Sequence, residues 1–390
     1  MVDLDQIRYL RDDIIAYRRR LHAYPEVGFQ VRETHDFIEA ELKRLGIAVT
    51  PHVGTNSLIG TIMNGEGPVV GLRADIDALN LEELNEDIDY RSNHPGVMHA
   101  CGHDAHTAML LGAASFLVNH KDMFCGTIKL IFQEAEEGPH PGGAKALVDS
   151  GLLKDVTRFY ALHVSPEWPS GSFALKRGVM FASVSTFTIV FRGKGCHAAY
   201  PQLGINPIVM QSEAVMKLAS LVPKTEDYLN SAVVSVTQVH GGTTHNIIPE
   251  TVMIQGTIRT FSNRVKDHIK HEIESRIGAI AKAHRGIVDI SIIDEYDSVF
   301  NHPDAVDDVI DVVTSSVAPN AISLMDQPTM GGEDFFRYLE LAPGAIAWMG
   351  TRKDERTSYG LHHPRFNIDE DALMIGVNVL INLVLKQGRK

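Results

Sequence analysis

The chain is predicted to fold as an α/β protein, a largely parallel sheet covered by helices, with a ferredoxin-like β-α-β-β-α-β unit inserted into it. Three observations carry this expectation. The apolar runs at residues 69–72, 127–132 and 159–162 are continuous rather than alternating, as strands buried on both faces require. Helical patterns lie between those runs, which is the layout of a sheet with crossover helices. From Val184 the order changes to strand, helix, strand, strand, helix, strand.

Taken in order, the strand at 69–72 runs into Arg-Ala-Asp-Ile-Asp-Ala at 73–78. Residues 98–106 read Met-His-Ala-Cys-Gly-His-Asp-Ala-His, and the Ala-, Met- and Leu-rich stretch 105–118 predicts a helix. Asp104 then lies near its N-terminus, where the helix dipole favours a carboxylate. The strand at 127–132 ends in Glu-Ala-Glu-Glu-Gly (134–138), and the strand at 159–162 in Leu-His-Val around His163. The inserted unit comprises a strand (184–191), a helix (206–221), two strands (232–239 and 252–260), a helix (265–283) and a strand (288–293). The sheet resumes near Ser298 with a helix at 333–339, a strand at 345–349 and a final helix at 372–385. The predicted organisation is therefore one domain in two parts, 1–182 and 296–390, interrupted by a second at 183–295.

Composition narrows the function classes. A chain of 390 residues suggests two domains rather than one core. A formal net charge of −13 argues against nucleic acid or an anionic membrane as partner, since either needs a basic face. Three widely spaced cysteines make no disulfide framework, and the start Met1-Val-Asp-Leu-Asp lacks the basic and apolar regions of a signal peptide. The most apolar stretch, 372–385, is too short to span a bilayer and contains Asn378 and Asn382. A cytosolic protein is expected.

Cys101, His103 and Asp104 offer soft, intermediate and hard ligands within four residues, which invites a metal ion. The acids at 73–78 and 134–138 and His163 stand where strands end and turns begin, the edge at which open α/β sheets gather ligands. His362 lies in Gly-Leu-His-His-Pro near the C-terminus.

Together with Gly-Lys-Gly-Cys-His-Ala-Ala-Tyr-Pro, Asn-Ile-Ile-Pro-Glu, Gly-Thr-Ile-Arg-Thr and Gly-Gly-Glu-Asp-Phe, these motifs resemble the amidohydrolase branch of the metallopeptidases. That branch holds aminoacylases, hippurate hydrolases, auxin-conjugate hydrolases and N-acetyldiaminopimelate deacetylases. The motifs occur in the family's order from Arg19 to residue 370. Two departures are visible: Glu134 where proline is usual, and Cys196 where glycine is common.

The resemblance implies a di-metal aminopeptidase-like catalytic domain (1–182 and 296–390) and a lid and dimerisation domain (183–295) that forms a homodimer. It implies two divalent ions per subunit, held by Cys101, His103, Glu137, His163 and His362, with Cys101 bridging, although Asp104 stands ready for the same role. Zinc suits a thiolate and imidazole set, while the carboxylates admit manganese, cobalt or nickel. Amide hydrolysis needs a strong nucleophile, a proton acceptor and an oxyanion clamp; a divalent ion lowers the pKa of water toward ~7 and polarises a carbonyl. On an extended backbone Glu136 and Glu137 point to opposite sides, and the resemblance makes Glu136 the base and Glu137 the ligand. Asp77 would orient a ligand, and Asp75 would be a strand-end partner. His197 would stabilise the oxyanion in a neighbouring subunit's site, and Asn246 and Arg259 would hold substrate, Arg259 by pairing with an α-carboxylate.

The expected activity is hydrolysis of an N-acyl amino acid, with a lean toward N-acetyldiaminopimelate. The alternatives are a dipeptidase or carboxypeptidase on the same scaffold, and a non-catalytic, metal-stabilised dimer that binds an amino-acid derivative. Glu136 argues against the last, because binding alone needs no base.

Overall fold

In the computed structural model, which describes residues 1–221 and 231–388, the continuous apolar runs are the inner strands of one sheet. Val69–Asp75 lies between Gly126–Gln133 and Arg158–Pro169 and is parallel to both. Leu72, Leu130, Phe132 and Phe159 are fully buried, which explains why these strands do not alternate. Arg158–Pro169 continues in parallel to Gly344–Arg352, and an antiparallel hairpin, Ala48–Val53 and Ser57–Asn64, closes the other side.

This eight-stranded sheet belongs to a unit comprising Met1–Gly178, Phe300–Asp326 and Asp334–Lys390. Helix His103–Asn119 is buried on nearly all sides, packed against helices Arg11–Ala23 and Asp371–Gln387 and against strand Val69–Asp75. Gly102 starts it with φ +84, and a Cβ there would fall 2.3 Å from Val164 Cγ2, so both conformation and space call for glycine. Parallel pairing sets Asp75 opposite Gln133, and thereby brings the turns after both strands to one edge.

The second unit comprises Val179–Val299 and Gln327–Glu333. Its antiparallel sheet runs Ala232–Gly241, Thr251–Thr260, Ser183–Arg192, Ile287–Tyr296, the ferredoxin-like order. Helices Pro207–Leu218 and Asn263–Ala283 supply Met210, Ala214, Ile269, Ile273 and Ile277 to a core shared with Phe187, Ile189, Phe191 and Ile254. Thr251–Thr260 alternates buried and half-buried positions, as a strand with one covered face must.

Two expected helices are shorter than their sequence patterns, the one at 206–221 being Pro207–Leu218. The helix expected at 333–339 is only Phe336–Leu339. Asp334 does not cap it; its carboxylate accepts hydrogen bonds from Arg73 Nη2 (3.0 Å), Gln133 Nε2 (2.7 Å) and Ala144 N (3.3 Å). Phe335 already has helical angles, φ −55 and ψ −22, but the regular helix begins only at Phe336. Among the described residues, no helix is long and apolar enough to cross a membrane.

Candidate metal centre

At the strand-end edge of the first unit, two sets of three side chains share one thiol. Cys101, His103 and His163 form one, Cys101, Glu137 and His362 the other, and within each set the ligand atoms lie within 4.8 Å of one another. A third set joins His103 to Glu136 and Glu137. The five side chains proposed from the sequence as metal ligands are therefore gathered at one place.

Each arrives by a different route. Cys101 ends the loop before helix His103–Asn119, and His103 is the first residue of that helix. His163 sits inside strand Arg158–Pro169, opposite Trp348, and its Nε2 lies 3.4 Å from Cys101 Sγ. His362 has φ +60 and donates its main-chain N–H to Ala100 O at 2.8 Å, which ties the C-terminal loop to the thiol loop. Its Nε2 lies 2.9 Å from Glu137 Oε1.

Both ring nitrogens of His103 and Oε1 of Glu137 are buried without an aligned hydrogen bond. Asp77 Oδ1 at 3.4 Å and Asp75 Oδ2 at 3.6 Å are near His103 but not in bonding geometry, and His362 is likewise misaligned on Glu137. Buried polar atoms left so are costly unless something else satisfies them. A thiol, three imidazoles and a carboxylate with free lone pairs fit a pair of divalent cations.

The electrostatics agree. Burial and the neighbouring Glu137, Glu136 and Asp75 push the Cys101 thiol far up, so an adjacent cation is needed to hold it as thiolate. Burial opposes charge on His103, yet Asp75, Asp77 and Glu137 outweigh it and raise its pKa to about 10, the mark of a site with surplus negative charge.

The acidic turn differs from the expected extended backbone. Ala135 has φ +51 and residues 136–137 form a bend, so Glu136 and Glu137 both reach the His103 set instead of parting to opposite sides. Asp77 makes this bend possible, because Oδ1 and Oδ2 accept the main-chain N–H groups of Glu136 (3.0 Å) and Glu137 (3.1 Å). Glu134 is buried too; it accepts the N–H groups of Thr55 (2.9 Å) and Asn56 (2.8 Å) and anchors the bend to the hairpin turn.

Asp104 is not among the gathered ligands. It is buried, with Oδ2 3.0 Å from Arg18 Nε and 2.8 Å from His22 Nδ1. Asp75 is more than a strand-end partner, since it accepts from Arg73 Nη1 (2.7 Å) and His106 (2.5 Å). Sequence reasoning assigned no role to His106, Arg73 or Arg18. The available signal for His106 was its spacing of three from His103, which puts both on one helix face.

His197, Asn246 and Arg259 belong to the second unit. His197 is exposed in Cys196–His197 and pairs with Ile247 of Ile247–Ile248, and Asn246 O accepts from Ala198 N at 3.0 Å, so these two are neighbours. Arg259 lies on Thr251–Thr260 between Val184 and Val233. Its guanidinium donates to Thr257 Oγ1 and Ile258 O; burial lowers its pKa and nearby Glu295 opposes that.

Comparison with known proteins gives the same picture. The profile of peptidase family M20/M25/M40 matches residues 71–386. A protein named thermostable carboxypeptidase 1, from Saccharolobus solfataricus, is 35% identical over 99% of this chain and 98% of its own length. N-acetyl-L-cysteine deacetylase of Bacillus subtilis is 38% identical over 94% of this chain and 86% of its own. A crystal structure from Bacillus subtilis, described as a dinuclear metal-binding peptidase of the M20 family, superposes with a TM-score of 0.83 at 31% identity, covering 97% of this chain and 98% of that one. On the extent of these matches, the chain belongs to peptidase family M20/M25/M40 and is a metal-dependent amidohydrolase.

Proposed function

We propose that the protein hydrolyses the amide bond of N-acyl-L-amino acids, releasing a carboxylate and a free amino acid. The observation that carries this reading is the pair of ligand sets sharing Cys101, with the Glu136 carboxylate beside them. In it, Cys101, His103, His163, Glu137 and His362 would hold two divalent ions, Cys101 being common to the set with His103 and His163 and to the set with Glu137 and His362. Bound there, such ions would activate water and polarise the scissile carbonyl.

The remaining chemistry belongs to the chain. Glu136 accepts the proton of the attacking water and passes it to the leaving amine, for which its place beside His103 and Glu137 suits it. Asp77 holds Glu136 and Glu137 in place through their main-chain N–H groups. Arg259 pairs with the substrate α-carboxylate, Asn246 holds the substrate, and His197 stabilises the oxyanion in a partner subunit's site. The assembly proposed is a cytosolic homodimer built through residues 183–295, which also serve as the lid. Three free cysteines and the acidic charge support the location. Zinc fits the thiolate and imidazole donors best.

A carboxypeptidase activity is the second reading, favoured by the name of the Saccharolobus relative. In both reactions the bond cleaved lies beside an amino acid with a free α-carboxylate, so Arg259 would serve either. Amine release from N-acetyl, N-succinyl and N-benzoyl amino acids, with N-acetyldiaminopimelate among them, is to be compared with release from dipeptides on one preparation of known metal content. Acyl amino acids turning over faster than dipeptides supports the proposal; the reverse establishes the peptidase.

A further inference from the structure

His106 is a buried histidine that the proposed reaction does not use. It stands one turn along helix His103–Asn119 from His103, and its ring packs against two proposed ligands: centroids lie 5.4 Å from His103 and 4.6 Å from His163. Both its nitrogens are engaged. Nε2 lies 2.9 Å from the main-chain nitrogen of Val164, and Nδ1 2.5 Å from Asp75 Oδ1.

The partners determine the tautomers. A main-chain N–H only donates, so Nε2 of His106 must carry a lone pair, and its proton sits on Nδ1 facing Asp75. Asp75 is held in turn by Arg73 Nη1 at 2.7 Å, and Arg73 by Asp334 and by Gln133 Oε1 at 3.0 Å each. On the other side, Val164 O lies 2.8 Å from His163 Nδ1. A carbonyl only accepts, so His163 carries its proton on Nδ1 and turns the lone pair of Nε2 toward Cys101, 3.4 Å away.

The topology explains why a side chain is needed here. Strand Val69–Asp75 pairs with Arg158–Pro169 only as far as Arg73 opposite Ala161. Three residues further on, the Val164 N–H has run past that neighbour, and His106 takes the place of the missing strand. Val164 is also pressed against the backbone at Gly102, the residue between Cys101 and His103.

We propose that His106 is a positioning residue for the proposed ligand His163, holding the Val164 main chain so that His163 Nε2 faces the Cys101 and His103 side of the metal pair. The inference rests on the reading of His163 as a metal ligand. It predicts a selective effect on one of two ions, which a general loss of stability would not produce.

The test is competition titration of the metal-free protein with Zn²⁺ against a chromophoric chelator, with circular dichroism and melting recorded on each variant. His163→Ala is the control and should lose one of the two ions. His106→Phe, which keeps the ring's bulk but not its nitrogens, should weaken that same ion by about 10- to 100-fold and spare the other. His106→Gln, whose amide oxygen reaches the Val164 N–H, should recover part of the affinity; His106→Asn, which reaches only Asp75, should not. If His106→Phe does not fold, the Gln and Asn variants decide between themselves, and equal zinc affinity in the two overturns the proposal. Unchanged binding of both ions in His106→Phe, where His163→Ala has lost one, overturns this inference alone. Two ions bound at full affinity in His163→Ala removes the ligand assignment, and the inference with it.

Discussion

Arg18 Nε lies 3.0 Å from Asp104 Oδ2, and neither side chain is more than 1% exposed. Asp104 follows the proposed ligand His103 directly, so this pair fixes the start of the helix that presents His103 to the metal centre. His22, 2.8 Å away on the same oxygen, and Glu83, 3.2 Å from the other side of His22, extend it into a buried network.

Removing Arg18 leaves a buried carboxylate without its main counter-charge. Arg18→Met is expected to destabilise the protein by about 3 to 5 kcal/mol, measured by urea unfolding at neutral pH. Burial opposes ionisation of Asp104, but Arg18 and then His22 outweigh it and hold its pKa well below the carboxylate range. With the folded pKa below the unfolded value of about 3.9, the stabilisation is complete above that pH and is lost as pH falls through the folded pKa. An unchanged midpoint in Arg18→Met, or wild-type stability that does not decline below about pH 4, contradicts this account.

Glu136→Gln should keep the fold and both metals yet lose most turnover, since general-base assistance is worth about 10² to 10⁴ in rate. Measured kcat near the wild-type value would transfer the base role to another group.

Cys101→Ala removes the thiol common to both ligand sets, so affinity should fall for both ions rather than one. Metal analysis after dialysis reads this directly. Chelation of the wild type should abolish activity and added divalent metal restore it; full activity in metal-free protein would refute the mechanism.

If His197 serves the partner's site, inactive Glu136→Gln and inactive His197→Ala chains should regain activity when mixed, because one site of the heterodimer then holds both intact groups. Subunit exchange must be demonstrated separately, by tagged pull-down. No recovery in verified heterodimers places His197 in its own subunit's chemistry or in structure alone.

Arg259→Ala should lose on the order of 2 to 4 kcal/mol of transition-state stabilisation, seen in kcat/KM, with Arg259→Lys recovering part. Replacing the substrate carboxylate by a neutral amide should cost the wild type a similar amount and the Ala variant little. If the two losses add, Arg259 does not read the carboxylate, and its bonds to Thr257 and Ile258 are its role.

The α/β class and the inserted β-α-β-β-α-β order were legible because burial on one face or two leaves a local periodicity in the residues of each strand and helix. The five proposed ligands were legible for a different reason: they sit in short motifs that resemble a known family, and the fold gathers them from unlike places, Glu137 after a strand end, Cys101 and His103 at a helix start, His163 inside a strand and His362 in a C-terminal loop. Tertiary structure alone decided which way those side chains turn. Asp104 stood as the alternative to Cys101 for the bridging place until Arg18, 86 residues away in sequence, took the carboxylate. Glu136 and Glu137 were expected on opposite sides until Asp77 bent their backbone, and His106 had no assigned task until the Val164 N–H ran past its neighbouring strand. Local pattern records which faces are buried, but a hydrogen bond between distant residues leaves no period in the sequence, and at this centre those bonds choose the orientation of each group.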